Sequence, residues 1–214
     1  MRKIICLVSL SIISFGGNCQ QHGSFEQYYY TGAGTSVIVP RLSYQNRHGW
    51  FGEVRYNYEE IQTVSFISGK TFSNNQSVAY EIAPYAGVVL GKINGGSLGS
   101  NIYIEYEKLF FSSESQYTFS MNKRSQDFFF NWSEAGYNFK NWVYTGLALQ
   151  LTHPFELKNK WEPGVMFGFT YKSWTLPFYA FSPADNNRNY VIGLNWEWDY
   201  KKPKQTNYES LTRH

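Results

Sequence analysis

Several carboxylate pairs in the sequence are spaced so that both side chains would lie on one face of a β-strand. Glu105 with Glu107, and Glu197 with Asp199, are two residues apart. At that spacing two strand residues share a face, with side chains roughly 6–7 Å apart. Such a pair can bind a cation or work as a general acid and base. The simpler interpretation is a charged network with arginines inside a fold, and we favour it because small barrels fill their interiors with polar side chains.

The histidines do not supply a catalytic arrangement. A His two residues from a Ser on one strand face would pair a base with a nucleophile, but neither His48 nor His153 has a Ser at that spacing. His22 has Ser24, but the pair precedes any secure strand pattern. The sequence also has no His-x-His, no Cys pair and no Asp-x-Asp-x-Asp loop. We therefore predict no catalytic residues, no metal site and no cofactor.

The elements that would hold these side chains are strands. Stretches of roughly ten residues alternate apolar with polar, and clusters of Gly, Asn, Ser and Asp separate them, which is typical of transmembrane barrels. In Trp50–Glu59, Val54 and Tyr56 alternate with Glu53 and Arg55. Charges are costly in lipid, so the charged face should point into the lumen.

The same alternation predicts one apolar and one polar face along later segments. It places Phe128, Phe130 and Trp132 on the lipid side, opposite Asp127, Asn131 and Ser133 on the lumen side. Eleven candidate turns punctuate the strands: Thr31–Gly34, Asn46–Gly49, around Glu60, Ser73–Gln76, Lys92–Gly96, Ser112–Glu114, Asn122–Ser125, Asn138–Asn141, His153–Lys160, Lys172–Ser173 and Pro183–Arg188.

These turns predict an all-β fold: a single antiparallel up-and-down transmembrane β-barrel of twelve strands. Ten strands remain open if Phe25–Thr31 is a loose arm. An even number agrees with bacterial single-chain barrels. Four prolines fall inside proposed strands, where proline removes a ladder donor, so bulges or strand boundaries are expected at Pro40, Pro84, Pro163 and Pro177.

The two ends of the sequence differ from the part between them. Arg2 and Lys3 precede an apolar run over Ile4–Phe15, which is the pattern of a secretory signal peptide. We predict a signal peptide over residues 1–19, a barrel over 20–200 and a polar periplasmic tail over 201–214. A second reading makes Cys19 the acylated first residue of a lipoprotein.

Aromatic residues make up 20% of the chain, with 18 Tyr, 17 Phe and 7 Trp. A membrane barrel uses such residues because Trp and Tyr anchor at both water interfaces. Without Arg2 and Lys3, 17 basic residues stand against 16 acidic ones. That balance gives no basic field for nucleic acid.

Taken together, the pattern over about residues 24–200 resembles the small outer-membrane β-barrel proteins of Gram-negative bacteria as an architectural class. The resemblance implies a location in the bacterial outer membrane. It also implies contact with outer-membrane lipids and with the barrel-insertion machinery as partners, and a small solute or lipid as an unidentified further partner.

The strand pattern assigns the candidate site residues to two groups. The lumen-facing group is Arg41, Glu53, Arg55, Asn57, Glu59, Glu81, Glu105, Glu107, Glu162, Glu197 and Asp199. The membrane-girdle group is Tyr56, Tyr58, Trp132, Trp196, Trp198 and Tyr200.

Three functions remain open from the sequence. The first is a structural barrel or narrow passive pore with an acidic, partly self-filled lumen. The second is an outer-membrane lipid-modifying enzyme that uses His153 or a lumen carboxylate. The third is a secreted soluble β-barrel that binds an apolar ligand, which requires the aromatic faces to point inward.

Overall fold

A computed structural model of the chain describes residues 21–32, 35–75, 77–123, 126–155, 158–185 and 188–199. The predicted signal peptide over 1–19, Cys19, the girdle residue Tyr200 and the tail over 201–214 lie outside the described residues. No helix in the described part is long and apolar enough to cross a bilayer.

The regular structure of the described residues is a set of thirteen antiparallel β-strands. They are β1 His22–Gly32, β2 Thr35–Gln45, β3 Trp50–Tyr56, β4 Thr63–Lys70, β5 Phe72–Asn75, β6 Ala79–Gly91, β7 Gly95–Tyr106, β8 Leu109–Ser120, β9 Phe128–Lys140, β10 Val143–Pro154, β11 Lys160–Tyr171, β12 Trp174–Phe181 and β13 Asn189–Asp199.

The strands close into a barrel with twelve positions. β1 pairs with β2 on one side and with β13 on the other, and β4 pairs with β6. β5 continues β4 in the same register against β6, since Gly69 pairs with Tyr85 and Phe72 pairs with Ile82. The prediction of a twelve-stranded up-and-down barrel is therefore confirmed, and the ten-strand alternative is wrong because β1 is a full member of the wall.

Pro84 explains why β4 and β5 are separate. The register places it opposite Lys70, where the ladder between the two pairings is interrupted. Successive amide groups along a strand point to alternate sides, and the amide of Lys92, just after β6, donates to the carbonyl of Gln62 on the β4 side. Residue 84 is an even number of positions from Lys92, so its amide would also point to the β4 side. The missing amide of Pro84 is thus the one that would bond Lys70.

The other three prolines also lie at a gap or an end of a ladder. Pro177 lies in the gap of the β12–β13 pairing, between Thr175 and Phe178. Pro40 lies one residue beyond the end of the β2–β3 pairing at Arg41. Pro163 lies just beyond Gly164, where the β11–β12 pairing ends. At each of these prolines a ladder is interrupted or has ended. The missing N–H of the proline therefore does not deprive a carbonyl inside a continuous ladder of its donor.

The connections differ in length at the two ends of the barrel. At the end where β1 begins and β13 ends, here called the terminal rim, the connections are residues 46–49, 76–78, 107–108, 141–142 and 172–173. At the opposite end, the loop rim, they are 33–34, 57–62, 92–94, 121–127, 155–159 and 182–188. Bacterial barrels have short periplasmic turns and longer extracellular loops, so this difference in length is the one expected if the terminal rim faces the periplasm.

One predicted turn is wrong. Ser112–Glu114 lies inside β8, and the turn between β7 and β8 is at residues 107–108. Glu107 adopts a left-handed backbone conformation there, with φ of 55°. The sequence around Ser112 resembles a loop because polar residues occupy both faces of that part of β8.

The wall has an apolar outer face. Exposed large hydrophobic side chains alternate with inward ones along the strands; Leu147 on β10 is 65% exposed, while the next residue, Ala148, is buried. The outer face includes Ile38, Leu42, Phe66, Val88, Leu98, Leu147, Val165, Phe167, Ile192 and Leu194. A soluble barrel with its aromatic faces pointing inward does not fit this wall.

Candidate functional site: the barrel interior

A cavity of about 870 Å³ occupies the interior of the barrel. Residues from β1–β3, β6–β10, β12 and β13 line it, together with Tyr58 from the 57–62 loop and Thr71 from the interruption between β4 and β5. The charged residues among its lining are Glu26, Arg41, Glu53, Glu81, Glu114, Glu134, Glu197 and Asp199.

Two arginines and two glutamates form a network across this interior. Arg41 on β2 donates to Glu53 at 2.9 Å and to Glu114 on β8 at 3.0 Å. Arg55 on β3 is fully buried, pairs with Glu114 at 2.8 Å and also donates to Glu53. β2 and β8 are five positions apart in a ring of twelve, so the Arg41–Glu114 bridge runs between nearly opposite walls.

Gln116 and Glu59 extend the network toward the loop rim. Gln116 accepts a hydrogen bond from Arg55 at 3.0 Å and another from the Tyr85 hydroxyl at 3.1 Å. Its own amide donates to Glu59 at 3.0 Å, and the hydroxyl of Ser65 donates to the same carboxylate. Most polar atoms of this cluster thereby have a partner, whereas the buried Nη2 of Arg55 makes no hydrogen bond.

Tyr58 lies inside the barrel, which corrects its assignment to the membrane girdle. Its ring lies 4.3 Å from the Arg55 guanidinium carbon and 5.4 Å from that of Arg41, and packs edge-on against Phe130 at 5.8 Å. β3 ends at Tyr56, and Asn57 turns the chain with φ of 57°. The strand alternation therefore stops before Tyr58, and the loop folds inward.

Asn57 likewise belongs to a turn and does not continue the lumen-facing row of β3. Its side-chain amide donates to the Ile38 carbonyl at 3.0 Å, and its side-chain oxygen accepts from the Gln62 amide at 2.8 Å. The residue fixes the 57–62 loop, and its prediction as a lumen-facing residue is corrected in that sense.

Trp132 also lies inside, so its assignment to the girdle is corrected. It packs edge-on against Tyr179 at 5.0 Å and Phe181 at 4.9 Å, and contacts Tyr30 at 6.4 Å. These rings belong to an apolar cluster with Met166 and other side chains of β10–β13. The apolar cluster therefore lies beside a charged cavity lining, to which β9 and β13 also contribute Glu134, Glu197 and Asp199.

The two faces of β9 are the reverse of the predicted ones. Phe130 and Trp132 line the cavity, whereas Asn131 and Ser133 belong to the opposite face, on the outer wall. Asn131 donates to Ser113 at 3.0 Å and to Ser115 at 2.9 Å. These polar side chains bond one another, which lowers the cost of placing them against lipid.

The remaining predicted lumen residues fall into three places. Glu81, Glu197 and Asp199 line the cavity, while Glu105 and Glu107 line a smaller pocket of about 390 Å³ at the terminal rim. Glu162 is buried near the loop rim, with its carboxylate 3.0 Å from Lys160.

Of the predicted girdle, Tyr56 and Trp196 are exposed on the outer wall, and Trp198 packs against Trp196 at 4.7 Å.

Three carboxylates that line the cavity were missed from the sequence. Glu114 is missed because the sequence predicts a turn at Ser112–Glu114. Glu134 is missed because the sequence assigns the two faces of β9 the wrong way round. Glu26 lies on β1 two residues before three consecutive tyrosines, where the alternation is weak, and its carboxylate lies 3.9 Å from Arg41. Glu134 accepts a hydrogen bond from the Trp132 indole at 2.6 Å.

His153, the candidate of the enzyme hypothesis, lies near the loop end of β10 and is exposed, with its Nδ1 hydrogen-bonded to Asn159. The described residues contain no group of three or more His, Cys, Asp or Glu side chains arranged to hold a metal ion.

No protein-family model matches the chain, and no curated protein matches its sequence. Solved structures do match. The chain is similar to the KdgM porin, alone and in complex with disordered oligogalacturonate, each with a TM-score of 0.58 and 14% identity over 81% of this chain and 98% of that one. It is also similar to the NanC porin, with a TM-score of 0.56 and 9% identity over 84% of this chain and 100% of that one.

At these identities the likeness is one of fold. The fold is that of small outer-membrane porins: a closed antiparallel barrel of twelve positions with an apolar outer wall. The predicted architectural class and the location in the bacterial outer membrane are thereby confirmed.

Proposed function

We propose that the protein is a narrow passive pore whose interior favours small cations over anions. The observation that carries the proposal is the charge of the cavity lining. Among the described residues that line it, seven are acidic and one, Arg41, is a permanent cation. An excess of one sign of charge in a narrow channel with low-dielectric walls concentrates ions of the opposite sign.

The contacts across the bore support a narrow passage. The Arg41–Glu114 bridge joins nearly opposite walls, and Tyr58 lies over both arginines from the loop side. A solute passing through would have to slip beside these side chains or displace them. We therefore expect the pore to admit ions and small solutes and to exclude larger ones.

The ligand in the KdgM complex, oligogalacturonate, is a polyanion. The acidic lining of the present cavity would repel such a chain. A polyanion of this kind is therefore not the solute expected for this pore, although the fold is shared.

Solute flux into vesicles tests the proposal. Refolded protein in liposomes should admit lysine about 10-fold faster than glutamate, because the lining attracts the cation. Neutralising the exposed acids of the cavity with E81Q/E197Q/D199N should reduce that ratio. The matched control E60Q/E107Q/D185N removes three acids that do not line the cavity, and it should keep the ratio. Equal flux of lysine and glutamate through the wild type would contradict the proposal.

A sealed structural barrel is the second candidate. It is favoured by the complete burial of Arg55 between Glu53 and Glu114, which leaves the network tightly packed. The same experiment separates the two, because a sealed barrel gives no flux of either amino acid above protein-free liposomes.

A further inference from the structure

Three lysines at connections of the terminal rim, and Lys70 beside the first residue of β3, each lie against an aromatic ring. The ammonium of Lys70 is 5.6 Å from the centre of Trp50, and that of Lys108 is 5.9 Å from Tyr137. The other two contacts are Lys140 with Trp142 at 5.7 Å and Lys172 with Tyr171 at 5.2 Å. All four rings are exposed. We call these four lysines and their rings the basic belt.

The lysines of the belt have no acidic partner. Among the described residues, no carboxylate lies within 4 Å of any of their four ammonium groups. At the loop rim the situation differs, since Lys92 pairs with Glu60 at 3.2 Å and Lys160 with Glu162 at 3.0 Å. The belt therefore presents positive charge that the protein itself leaves uncompensated.

The belt extends around most of the terminal rim. Its lysines lie on β4 and at the connections β7–β8, β9–β10 and β11–β12. Between the last of these and β1 the rim carries stacked indoles, with Trp174 5.6 Å from Trp196 and Trp198 packed beyond it. Trp and Tyr rings prefer the depth of the lipid headgroups, so the ammonium groups beside the belt rings lie at the same depth.

We propose that the basic belt binds the phosphodiester groups of anionic phospholipids in the leaflet that faces the terminal rim. A long Lys side chain can cover the apolar wall and still hold its ammonium at the headgroups. An ammonium held over a ring at about 6 Å is positioned without losing its charge. The belt thus matches a layer of phosphates in charge and in depth, and this inference does not depend on whether the barrel conducts.

Two acids of the terminal rim lie near the belt. Glu105 and Glu107 line the small pocket together with Lys108 and Lys140. Glu107 directly precedes Lys108 in the turn, so Lys108 should contribute least to lipid binding. Lys70 and Lys172, which do not line that pocket, should contribute most.

Spin-label measurements in reconstituted vesicles test the belt. Full-length refolded protein in phosphatidylcholine vesicles receives either spin-labelled phosphatidylglycerol or spin-labelled phosphatidylcholine, and the fraction of immobilised label gives the relative affinity. Wild-type protein should prefer phosphatidylglycerol by about fivefold at low salt. Salt of about 1 M should abolish the preference, because exposed charges are then screened.

A matched pair of variants assigns the effect. K70Q/K108Q/K140Q/K172Q should show no preference, whereas K92Q/K123Q/K158Q/K160Q, which removes four lysines at the loop rim, should keep it. Heat-dependent gel mobility checks that both variants fold as barrels. A preference that persists in the belt variant, or that is lost equally in the control, would overturn the proposal.

Discussion

At the scale of single residues, Glu114 holds the interior together because it bonds both arginines. Arg55 is 0% exposed, and its guanidinium relies on Glu53, Glu114 and Gln116 in place of water. Removing one partner of a buried ion pair leaves a charge that is no longer compensated, and this costs more than the pair itself contributes.

Replacing Glu114 with Gln should therefore lower the free energy of unfolding by about 3 kcal/mol. Urea unfolding of the refolded protein in vesicles measures the change. Glu81 supplies the control, because it is exposed and has no described ion pair or side-chain hydrogen bond; E81Q should change stability by less than about 0.5 kcal/mol. Equal stability of E114Q and the wild type would contradict the proposed role of the network.

At the scale of elements, the 57–62 loop brings Tyr58 into the bore. Replacing Tyr58 with Ala removes the ring over Arg41 and Arg55 and should raise the single-channel conductance. Tyr56, two residues earlier, lies on the outer wall, so Y56A should leave the conductance unchanged. A conductance that rises equally in both variants would show that Tyr58 does not narrow the bore.

The interruption between β4 and β5 gives a second prediction at this scale. Replacing Pro84 with Ala restores an amide that faces the Lys70 carbonyl, so that amide should exchange slowly with solvent when followed by NMR in micelles. Pro183 lies in an exposed loop and is the control; the new amide in P183A should exchange quickly. Rapid exchange at residue 84 would mean that something other than the proline separates β4 from β5.

Most of the wall could be predicted from the alternation of apolar and polar residues, as β3 and β13 illustrate. The rule failed on β9, because aromatic residues there fill a narrow interior. On the outer face Ser133 donates a hydrogen bond to Asn131, and Asn131 donates one to Ser113, so these polar side chains are paired without water. It failed at Tyr58 because a left-handed turn residue precedes it. The Arg41–Glu114 bridge joins residues 73 positions apart, and alternation along single strands carries no information on such contacts.

At the scale of the whole molecule, the outer wall is apolar, and the interior combines an apolar cluster with a cavity whose lining carries seven acids and one arginine. The apolar wall sets the location in a membrane. The charge of the cavity lining leads to the proposed preference for cations.

The reversal potential across a planar bilayer tests this central proposal most directly. Refolded protein under a KCl gradient should give a potential whose sign reports more K⁺ than Cl⁻ crossing the pore. The potential should move toward zero in E81Q/E197Q/D199N and remain in E60Q/E107Q/D185N. A wild-type potential of zero, or one with the sign of anion preference, would contradict the account.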